Sequence, residues 1–552
     1  MDGNHAILEQ LIADGFEFMF GLPGTEEEGF LDALTDYQDR LRYILCYQES
    51  VAVMAADGYA RATRHPSLVQ IHSTPGLANA LGAIWEAKKG NVPLVVLGGK
   101  TGVKYLPMEA HMSGDVVNLA RPVTKWAGMV THPASTLRML RRAIRIACTP
   151  PRGPVYLCLP MDVLDAESEE QVRPTVIPST RVAPEPDWIH RAADMLAGAR
   201  EPRIFIGDGV VASGAEQALR AVAELLGAPV WSVHQGDMVL DGDDPLFQGF
   251  TGRMFGTDST PRFREGDVNF LCGTYAVPEV FPELGPVFAE GSRVIHVDLD
   301  PENIGKNHPL DLGAVADPRL TLEHLAEALA ARLAGQDRSA ATERIRTLAE
   351  EKARRRQEAI DRDDSLSGDG LMPFAAVARE LAAQLPESAM IFDESLTCSP
   401  ALTRYLTPRA GRYFIPRGGC LGIGLPSAIG AAAGITDRMV VGLTGDGGAM
   451  EVIQCLATAA RYQVPAKLIV CNNRSYKVCE FNLIPYRRDR GIDLNRPQPE
   501  LFDLSRPDLN FAMLAEGQGV KAARVENPDD IGPRIREMIA HPGPFLLDVV
   551  AG

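Results

Sequence analysis

The chain has 552 residues, of which 45% are hydrophobic and 23% are charged, and its formal net charge at pH 7 is −17. At roughly 150 residues per domain, this length predicts three or four domains with several buried cores. The acidic balance argues against a nucleic-acid partner and against an anionic membrane surface, because both partners are themselves negatively charged.

The N-terminus and the cysteines indicate the compartment. The first residues, MDGNHAILEQLIADGFEFMFG, contain an early acid, no basic segment and no small-residue cleavage site, so we expect no signal peptide. No run of about 20 apolar residues occurs, which predicts that no helix crosses a membrane. The nine cysteines are scattered without a CxxC pair, as expected for reduced thiols in a cytoplasmic protein.

Short apolar runs alternate with helical patterns along the chain. Segments such as PDWIHRAADMLAGA and AEQALRAVAELLG have apolar residues at three- and four-residue spacing, which is typical of helices. This alternation predicts an α/β fold of doubly wound parallel sheets covered by helices. In chain order, the predicted strands include RYILCYQ, SLVQIHS, PLVVLGG, PVYLCLP, RIFIGDGV, VNFLCGT, RVIHVDLD, AMIFDES, MVVGLTGDG, KLIVCNN and FLLDVV.

Two breaks divide the chain. The first, near 170–187, is polar and rich in proline, and the second, 335–370, is a highly charged stretch that reads as a solvated linker helix with a flexible end. They predict three α/β domains, at 1–170, 187–335 and 370–552.

Two strand ends in the third domain carry polar residues. One apolar strand ends in Gly445-Asp446-Gly447, and the next ends in Asn472-Asn473, with Asn473 lying 27 positions after Asp446. That distance is enough for one helix and a return strand. A GDG tripeptide alone is weak, because others occur at 207–209 and 368–370 and most are turns. A GDG at one strand end followed by NN one βα unit later is a much stronger signal.

This pair of strand ends predicts a phosphate and metal site. In open α/β sheets, ligands bind beyond the carboxyl ends of the strands. The glycines let backbone N–H groups approach a phosphate, and a helix opening near Ala449 would direct its N-terminus at that anion. The side chains of Asp446 and Asn473, with a backbone carbonyl at Ser475, are oxygen ligands suited to Mg²⁺ or Ca²⁺, with diphosphate oxygens completing the shell.

The GDG–NN pair resembles the cofactor motif of thiamine-diphosphate-dependent 2-oxo acid decarboxylases and acetolactate synthases. The nearest likeness within this group is to benzoylformate decarboxylases. The resemblance covers essentially the whole chain and implies a pyrimidine-binding domain, a middle Rossmann-like domain and a diphosphate-binding domain. The other matching segments are FGLPGT, YQESVAVMAADGYARAT, HSTPGLANALGAIWEAKKGNVPLVVLGG, HVDLDPENIGKN and GGCLGIGLPSAIGAA.

The resemblance implies that four residues of this chain lie beside the reacting atoms of cofactor and substrate. Glu49 occupies the position of the glutamate that activates the cofactor, although its local pattern also fits a helix-capping glutamate. His72 matches an active-site histidine that relays protons, and a structural histidine is the alternative. Thr25 ends the segment FGLPGT at 20–25, called the glycine loop below, and matches a substrate-facing hydroxyl. His111 lies in PMEAHMSGD, a segment that lines the pocket in relatives.

The resemblance also implies the cofactor contacts. Leu421 would be the apolar wedge under the bent cofactor, and the carbonyl of Gly419 would accept from its pyrimidine amino group. A buried glycine-rich helix start is the alternative for both residues. Thr397 matches a hydroxyl that contacts the diphosphate, and an ST-turn or an N-cap is the alternative there. The residues implied in binding the cofactor are Gly24, Thr397, Gly419, Leu421, Gly445, Asp446, Gly447, Gly448, Asn473, Ser475 and Tyr476.

Several positions depart from the family pattern. The aligned position of a second active-site histidine is Val280, and the aromatic after NN is followed by lysine rather than glycine. Cys479 and Asn482 stand where aryl-substrate enzymes have apolar side chains, which predicts a more polar pocket. The Arg- and Pro-rich segment at 484–507 is either a lid or a surface loop. The segments IGDGVVASGA and HVDLDP suggest a nucleotide-type fold in the middle domain, and we expect it to have lost any FAD or nucleotide ligand.

The implied activity is decarboxylation of a 2-oxo acid to an aldehyde, with possible joining of the product to a second carbonyl compound. The alternatives are an acetolactate-synthase-type carboligase and a non-catalytic scaffold that binds the cofactor. Because the family brings the activating glutamate of one subunit to the diphosphate site of another, we expect a homodimer or a homotetramer.

Overall fold

The structure is a computed structural model that describes residues 1–233, 237–252, 254–365 and 371–552. Within these ranges the chain forms three sheets of six strands each, with helices beside them, as the sequence predicted. Central strands such as Leu94–Lys100 are buried along their whole length, because helices cover both faces of a parallel sheet.

The first sheet belongs to the N-terminal region. Its strand order is β2-β1-β3-β4-β6-β5, and every strand pair is parallel. The strands are β1 (Phe18–Gly21), β2 (Arg42–Leu45), β3 (Ser67–Ile71), β4 (Leu94–Lys100), β5 (Trp126–Met129) and β6 (Val155–Pro160). The helices are α1 (Gly3–Ala13), α2 (Glu28–Leu34), α3 (Glu49–Thr63), α4 (Ser73–Lys89), α5 (Val116–Ala120), α6 (Thr136–Cys148) and α7 (Met161–Leu164).

The second sheet belongs to the middle region, and its strand order is β12-β11-β10-β7-β8-β9. The strands are β7 (Pro202–Ile206), β8 (Val230–Ser232), β9 (Phe247–Phe250), β10 (Val268–Cys272), β11 (Arg293–Asp298) and β12 (Leu312–Val315). The helices are α8 (Pro186–Ala197), α9 (Asp208–Ser213), α10 (Glu216–Leu226), α11 (Gly256–Arg264), α12 (Pro318–Arg332) and the linker helix α13 (Gly335–Ser365). The predicted flexible end of the linker and the GDG at 368–370 lie outside the described residues.

The third sheet belongs to the C-terminal region, and its strand order is β14-β13-β15-β16-β18-β17. The strands are β13 (Met390–Glu394), β14 (Tyr413–Phe414), β15 (Val440–Gly445), β16 (Lys467–Asn472), β17 (Lys521–Val525) and β18 (Phe545–Val550). The helices are α14 (Phe374–Gln384), α15 (Ser399–Tyr405), α16 (Gly424–Gly434), α17 (Asp446–Val452), α18 (Cys455–Tyr462), α19 (Lys477–Asp489), α20 (Phe511–Gly517) and α21 (Pro528–Ala540).

The chain divides into two compact units. One comprises Met1–Pro178 together with most of the chain after the linker helix, and the other comprises Ser179 to the linker helix with Thr407–Phe414. Within the first unit, α3 packs closely on α16. A Cβ added at Gly58 would overlap the Ser427 backbone, so this crossing requires glycine.

The helices and the cysteines bear on the expected absence of membrane spans and on the expected free thiols. In the described ranges, no helix combines the length and apolar character needed to cross a membrane. The cysteines are free thiols, and most of them are buried, while Cys479 is exposed.

Candidate active site

The predicted catalytic residues gather at the carboxyl edge of the first sheet. β3 ends at Ile71, and His72 follows it as the N-cap of α4. Nδ1 of His72 lies 2.9 Å from Oε2 of Glu27, and the two side chains are 18% and 5% exposed. A Cβ at Gly24 would overlap the His72 ring, so the glycine loop packs directly against the imidazole.

Glu27 is a site residue that the sequence analysis did not identify. It stands among three consecutive glutamates, of which Glu26 and Glu27 are buried, and the pattern alone does not show which of them meets His72. Burial raises the pKa of the Glu27 carboxyl to about 7, and the neighbouring His72 opposes this rise. A carboxyl that titrates near neutrality beside a histidine can hold or release a proton at physiological pH.

Glu49 is the first residue of α3 and is only 7% exposed. The helix is capped by Gln48, whose side chain accepts from the Ser50 and Val51 N–H groups, so Glu49 is not the capping residue. Its carboxylate instead accepts from Asn79 Nδ2 at 3.1 Å. A Cβ at Gly76 would lie 2.9 Å from Oε1, so Glu49 rests against α4, the helix that begins after His72.

Thr25 and His111 are both exposed. Thr25 begins the short 3-10 helix Thr25–Glu27 directly after the glycine loop, two residues before Glu27. The residue after His111, Met112, accepts a hydrogen bond from Ser73 Oγ at 3.2 Å. The segment that carries His111 therefore lies beside the start of α4.

The predicted phosphate and metal site, called the cradle below and formed by residues 445–448 and 472–475, lies at the carboxyl edge of the third sheet. β15 and β16 are adjacent and parallel, with Gly445 paired to Cys471, so their polar ends meet at one edge. The helix α17 begins at Asp446, not near Ala449 as the sequence predicted. The earlier start follows from Gly445, whose extended backbone serves as the N-cap, and it includes the whole glycine run in the first turn.

Asp446 is 4% exposed. Its Oδ1 accepts from the Gly447 N–H at 2.9 Å, whereas Oδ2 is buried without a hydrogen-bond partner among the described residues. Burial raises the pKa of this carboxyl to about 6, against the lowering effect of the Gly447, Arg474 and Ser475 N–H groups. A buried carboxylate oxygen without a partner is costly unless a ligand or water satisfies it.

The segment after β16 supplies the other predicted ligands. Oδ1 of Asn473 accepts from the Ser475 N–H at 3.0 Å, which leaves one lone pair of that oxygen for a further partner. The Tyr476 N–H donates to the Phe502 carbonyl at 2.9 Å and so braces this turn. A Cβ at Gly447 would lie 2.6 Å from the Tyr476 ring, so the ring packs against the cradle.

The cradle fits a divalent cation and a diphosphate. Asp446 and Asn473 offer hard oxygen atoms of the kind that Mg²⁺ prefers. Within the described ranges, no cluster of three or more His, Cys, Asp and Glu side chains could hold a metal, so the remaining ligands would have to come from elsewhere, such as cofactor oxygens. A Cβ at Gly448 would lie 2.6 Å from Thr444 Oγ1, which requires a bare backbone in the first turn of α17.

The remaining cofactor candidates lie on two loops of the third region. Thr397 is half-buried in the turn that follows β13. Gly419 is exposed with a φ of +81°, a left-handed conformation that glycine adopts without strain. Leu421 is half-buried two residues later. The loop 417–424, which connects β14 to α16, therefore presents both Gly419 and Leu421.

The positions that depart from the family pattern are exposed or half-buried, and the Arg- and Pro-rich segment is held by hydrogen bonds of its own. Val280 is 60% exposed in the middle region. On α19, Cys479 is exposed and Asn482 is half-buried. Arg487 is buried, and its guanidinium donates to the carbonyls of Arg496 and Pro497, so this arginine holds the Arg- and Pro-rich segment together.

Comparison with protein-family models gives three matches in chain order. Residues 1–119 match the N-terminal TPP binding domain of thiamine pyrophosphate enzymes, 189–325 match the central domain, and 396–549 match the C-terminal TPP binding domain.

Individual proteins are similar over the whole chain. A probable acetolactate synthase large subunit of Methanocaldococcus jannaschii is 31% identical, covering 100% of this chain and 92% of its own length. A benzoylformate decarboxylase of Pseudomonas aeruginosa is 29% identical, with coverages of 99% and 98%. The solved structure of a thiamine diphosphate-dependent 4-hydroxybenzoylformate decarboxylase of Rhodococcus jostii is 26% identical, with a TM-score of 0.85 and coverages of 100% and 99%.

Proposed function

The chain belongs to the family of thiamine pyrophosphate enzymes, and we propose that it decarboxylates a 2-oxo acid to an aldehyde with thiamine diphosphate and Mg²⁺. The observation that carries this proposal is the contact between the buried Glu27 carboxyl and the partly buried His72 beside the glycine loop. Release of an aldehyde requires a proton at the carbon that has lost CO₂. A histidine held by a carboxyl that titrates near pH 7 is suited to deliver it.

Thiamine diphosphate, when bound, would supply the nucleophilic carbon and store the electrons left by departing CO₂. Asp446, Asn473 and the Ser475 carbonyl would hold the metal. The bare backbone at Gly447 and Gly448 would donate to the diphosphate.

We assign to Glu49 the exchange of a proton with the pyrimidine ring. Its burial and its contact with Asn79 support this role, because a carboxyl fixed in a dry site keeps one orientation toward its partner. His72 would exchange protons with the substrate. Thr25 and His111 would line the substrate end of the site, where their exposed side chains are available for hydrogen bonds.

A carboligase of the acetolactate-synthase type is the second candidate. The 31% identity to a probable acetolactate synthase favours it. In such a reaction a second carbonyl compound, rather than a proton, would capture the carbon that has lost CO₂. We further propose that the enzyme is a cytoplasmic homodimer or homotetramer with sites shared between subunits.

The test is to incubate the purified protein with thiamine diphosphate, Mg²⁺ and a panel of aromatic and aliphatic 2-oxo acids. CO₂ and carbonyl products are quantified in the same reaction, with Glu49→Gln as the inactive control. We expect one aldehyde per CO₂ for at least one acid and loss of both in the variant.

Two outcomes would contradict the proposal. CO₂ accompanied by an acyloin instead of an aldehyde would assign the protein to the carboligases. No CO₂ from any acid, although the cofactor is bound, would favour a non-catalytic scaffold.

A further inference from the structure

The loop 417–424 is held at its first half by a buried carboxylate. Glu86 lies on α4 and is 1% exposed. Its carboxylate accepts from the backbone N–H groups of Arg417, Gly418 and Cys420, at 2.6 Å for Gly418 and 3.1 Å for Cys420. Three N–H donors on one carboxylate fix the backbone immediately around Gly419.

Other atoms near the end of α4 reinforce this contact. Trp85 Nε1 donates to the Gly418 carbonyl at 3.2 Å, and the Arg417 guanidinium donates to the Gly90 carbonyl at 2.8 Å. A Cβ at Gly418 would lie 2.8 Å from the Cα of Glu86, so helix and loop touch backbone to backbone. The first half of the loop is thus attached to the helix that begins after His72.

A second buried carboxylate holds the other half of the loop. Glu394 ends β13 and is 1% exposed. It accepts from the N–H groups of Gly422 and Gly424, the latter at 2.8 Å, and from Thr444 Oγ1 at 3.0 Å. Thr444 is two residues before Asp446. A Cβ at Gly448 would lie 3.3 Å from Glu394 Oε1, so this carboxylate also borders the phosphate cradle.

The surroundings of both carboxylates consist of donors. Both oxygens of the Glu394 carboxyl can accept hydrogen bonds from the N–H and O–H groups around them, whereas an amide would turn an NH₂ group, which cannot accept, toward at least one of these donors. Burial raises the pKa of Glu394 to about 8. The hydrogen bonds from its three donors oppose this rise, and the nearby Glu86 adds to it. Burying these two carboxyl groups is unfavourable, and each is offset by three donors, mostly from this one loop.

We propose that Glu86 and Glu394 are positioning residues that fix the loop on both sides of Leu421 and so keep the Gly419 carbonyl and the Leu421 side chain where thiamine diphosphate binds. Glu86 ties the loop to the region of Glu49 and His72, and Glu394 ties it to the region of Asp446. The inference rests on the proposed function only in taking thiamine diphosphate as the ligand of this loop.

The test uses the full-length protein and the variants Glu86→Gln and Glu394→Gln. Exposed Glu516 on α20 provides the matched control Glu516→Gln in the same compact unit. Two quantities are measured well below the melting temperature. One is the Kd for thiamine diphosphate with Mg²⁺, and the other is amide hydrogen exchange of peptides covering 417–424 without cofactor.

We expect each Gln variant to raise the Kd about tenfold, the order seen when groups that orient a ligand site are removed. Exchange should accelerate in peptides covering 417–424 and remain as in the wild type in peptides from β16. Glu516→Gln should change neither quantity. Glu86→Asp, which keeps the charge, should recover part of the affinity. If Glu394→Gln does not fold, Thr444→Val removes one of its donors and should raise the Kd by a smaller factor.

A lower melting temperature with wild-type Kd and wild-type exchange of 417–424 would overturn the inference, because it would show a merely structural role. The proposed function can fail separately. A wild-type protein that binds thiamine diphosphate but releases no CO₂ would remove the decarboxylase, while the Kd and exchange comparisons would still decide the roles of Glu86 and Glu394. A wild-type protein that does not bind the cofactor would overturn both.

Discussion

At the residue scale, the Glu27 carboxyl shows how burial sets chemistry. The carboxyl is in a dry site, and its pKa is raised to about 7, so it gains a proton as the pH falls below that value. The ionised carboxylate can only accept, from the Nδ1–H of His72, whereas the protonated carboxyl can also donate its O–H to Nδ1. The pair therefore changes its hydrogen bonding across neutral pH.

We expect kcat of the wild type to fall as the pH increases through about 7, because the Glu27–His72 pair then loses the proton that it delivers, and we expect this limb to be absent in Glu27→Gln, which cannot ionise. The variant should also lose about 10- to 100-fold in kcat/KM, since His72 loses the group that orients it. The measurement is a pH–rate profile with the best 2-oxo acid. Glu28→Gln, at the exposed neighbouring glutamate, is the control. A pH limb that persists in Glu27→Gln would assign the ionisation to another group.

Asp446 offers a second test at this scale. Its buried Oδ2 is available for a cation, so Asp446→Asn should weaken Mg²⁺-dependent binding of thiamine diphosphate about 100-fold. Calorimetric titration with and without EDTA measures this loss. Exposed Asp437→Asn should bind as the wild type does. Equal affinities of Asp446→Asn and the wild type would show that the metal site lies elsewhere.

At the scale of elements, the crossing of α3 and α16 depends on glycine. Gly58→Ala would push a methyl group into the Ser427 backbone, and we expect it to lower the free energy of unfolding by about 2–3 kcal/mol. Gly517→Ala on α20 meets no heavy atom within 4 Å, and alanine should raise stability there by about 0.5–1 kcal/mol. Urea denaturation measures both changes. A Gly58→Ala protein as stable as the wild type would contradict the close packing.

The strands and the βα order could be predicted from the sequence, because short apolar runs that alternate with helical patterns are typical of buried parallel strands. The start of α17 could not, since whether Gly445 caps the helix or continues a loop depends on contacts outside the motif. Glu86 and Glu394 escaped prediction for the same reason. All five of their backbone N–H donors lie 28 to 334 positions away in the chain, so their local sequence resembles that of ordinary helix and strand residues.

At the scale of the whole molecule, the family and the cofactor motif could be predicted because GDG–NN and five other segments occur in one order. The substrate side chain could not, because it depends on how exposed residues such as Cys479 and His111 surround a bound acid. We propose that Glu49 and Asp446 serve one decarboxylation site, formed by two subunits.

The most direct test is complementation between two inactive chains, Glu49→Gln and Asp446→Asn, coexpressed with different tags and purified as mixed oligomers. If each site takes Glu49 from one chain and Asp446 from another, half of the sites in a mixed dimer are intact. We therefore predict about half the CO₂ release of a doubly tagged wild-type dimer. Mixed oligomers without activity, beside an active doubly tagged wild type, would contradict the shared site.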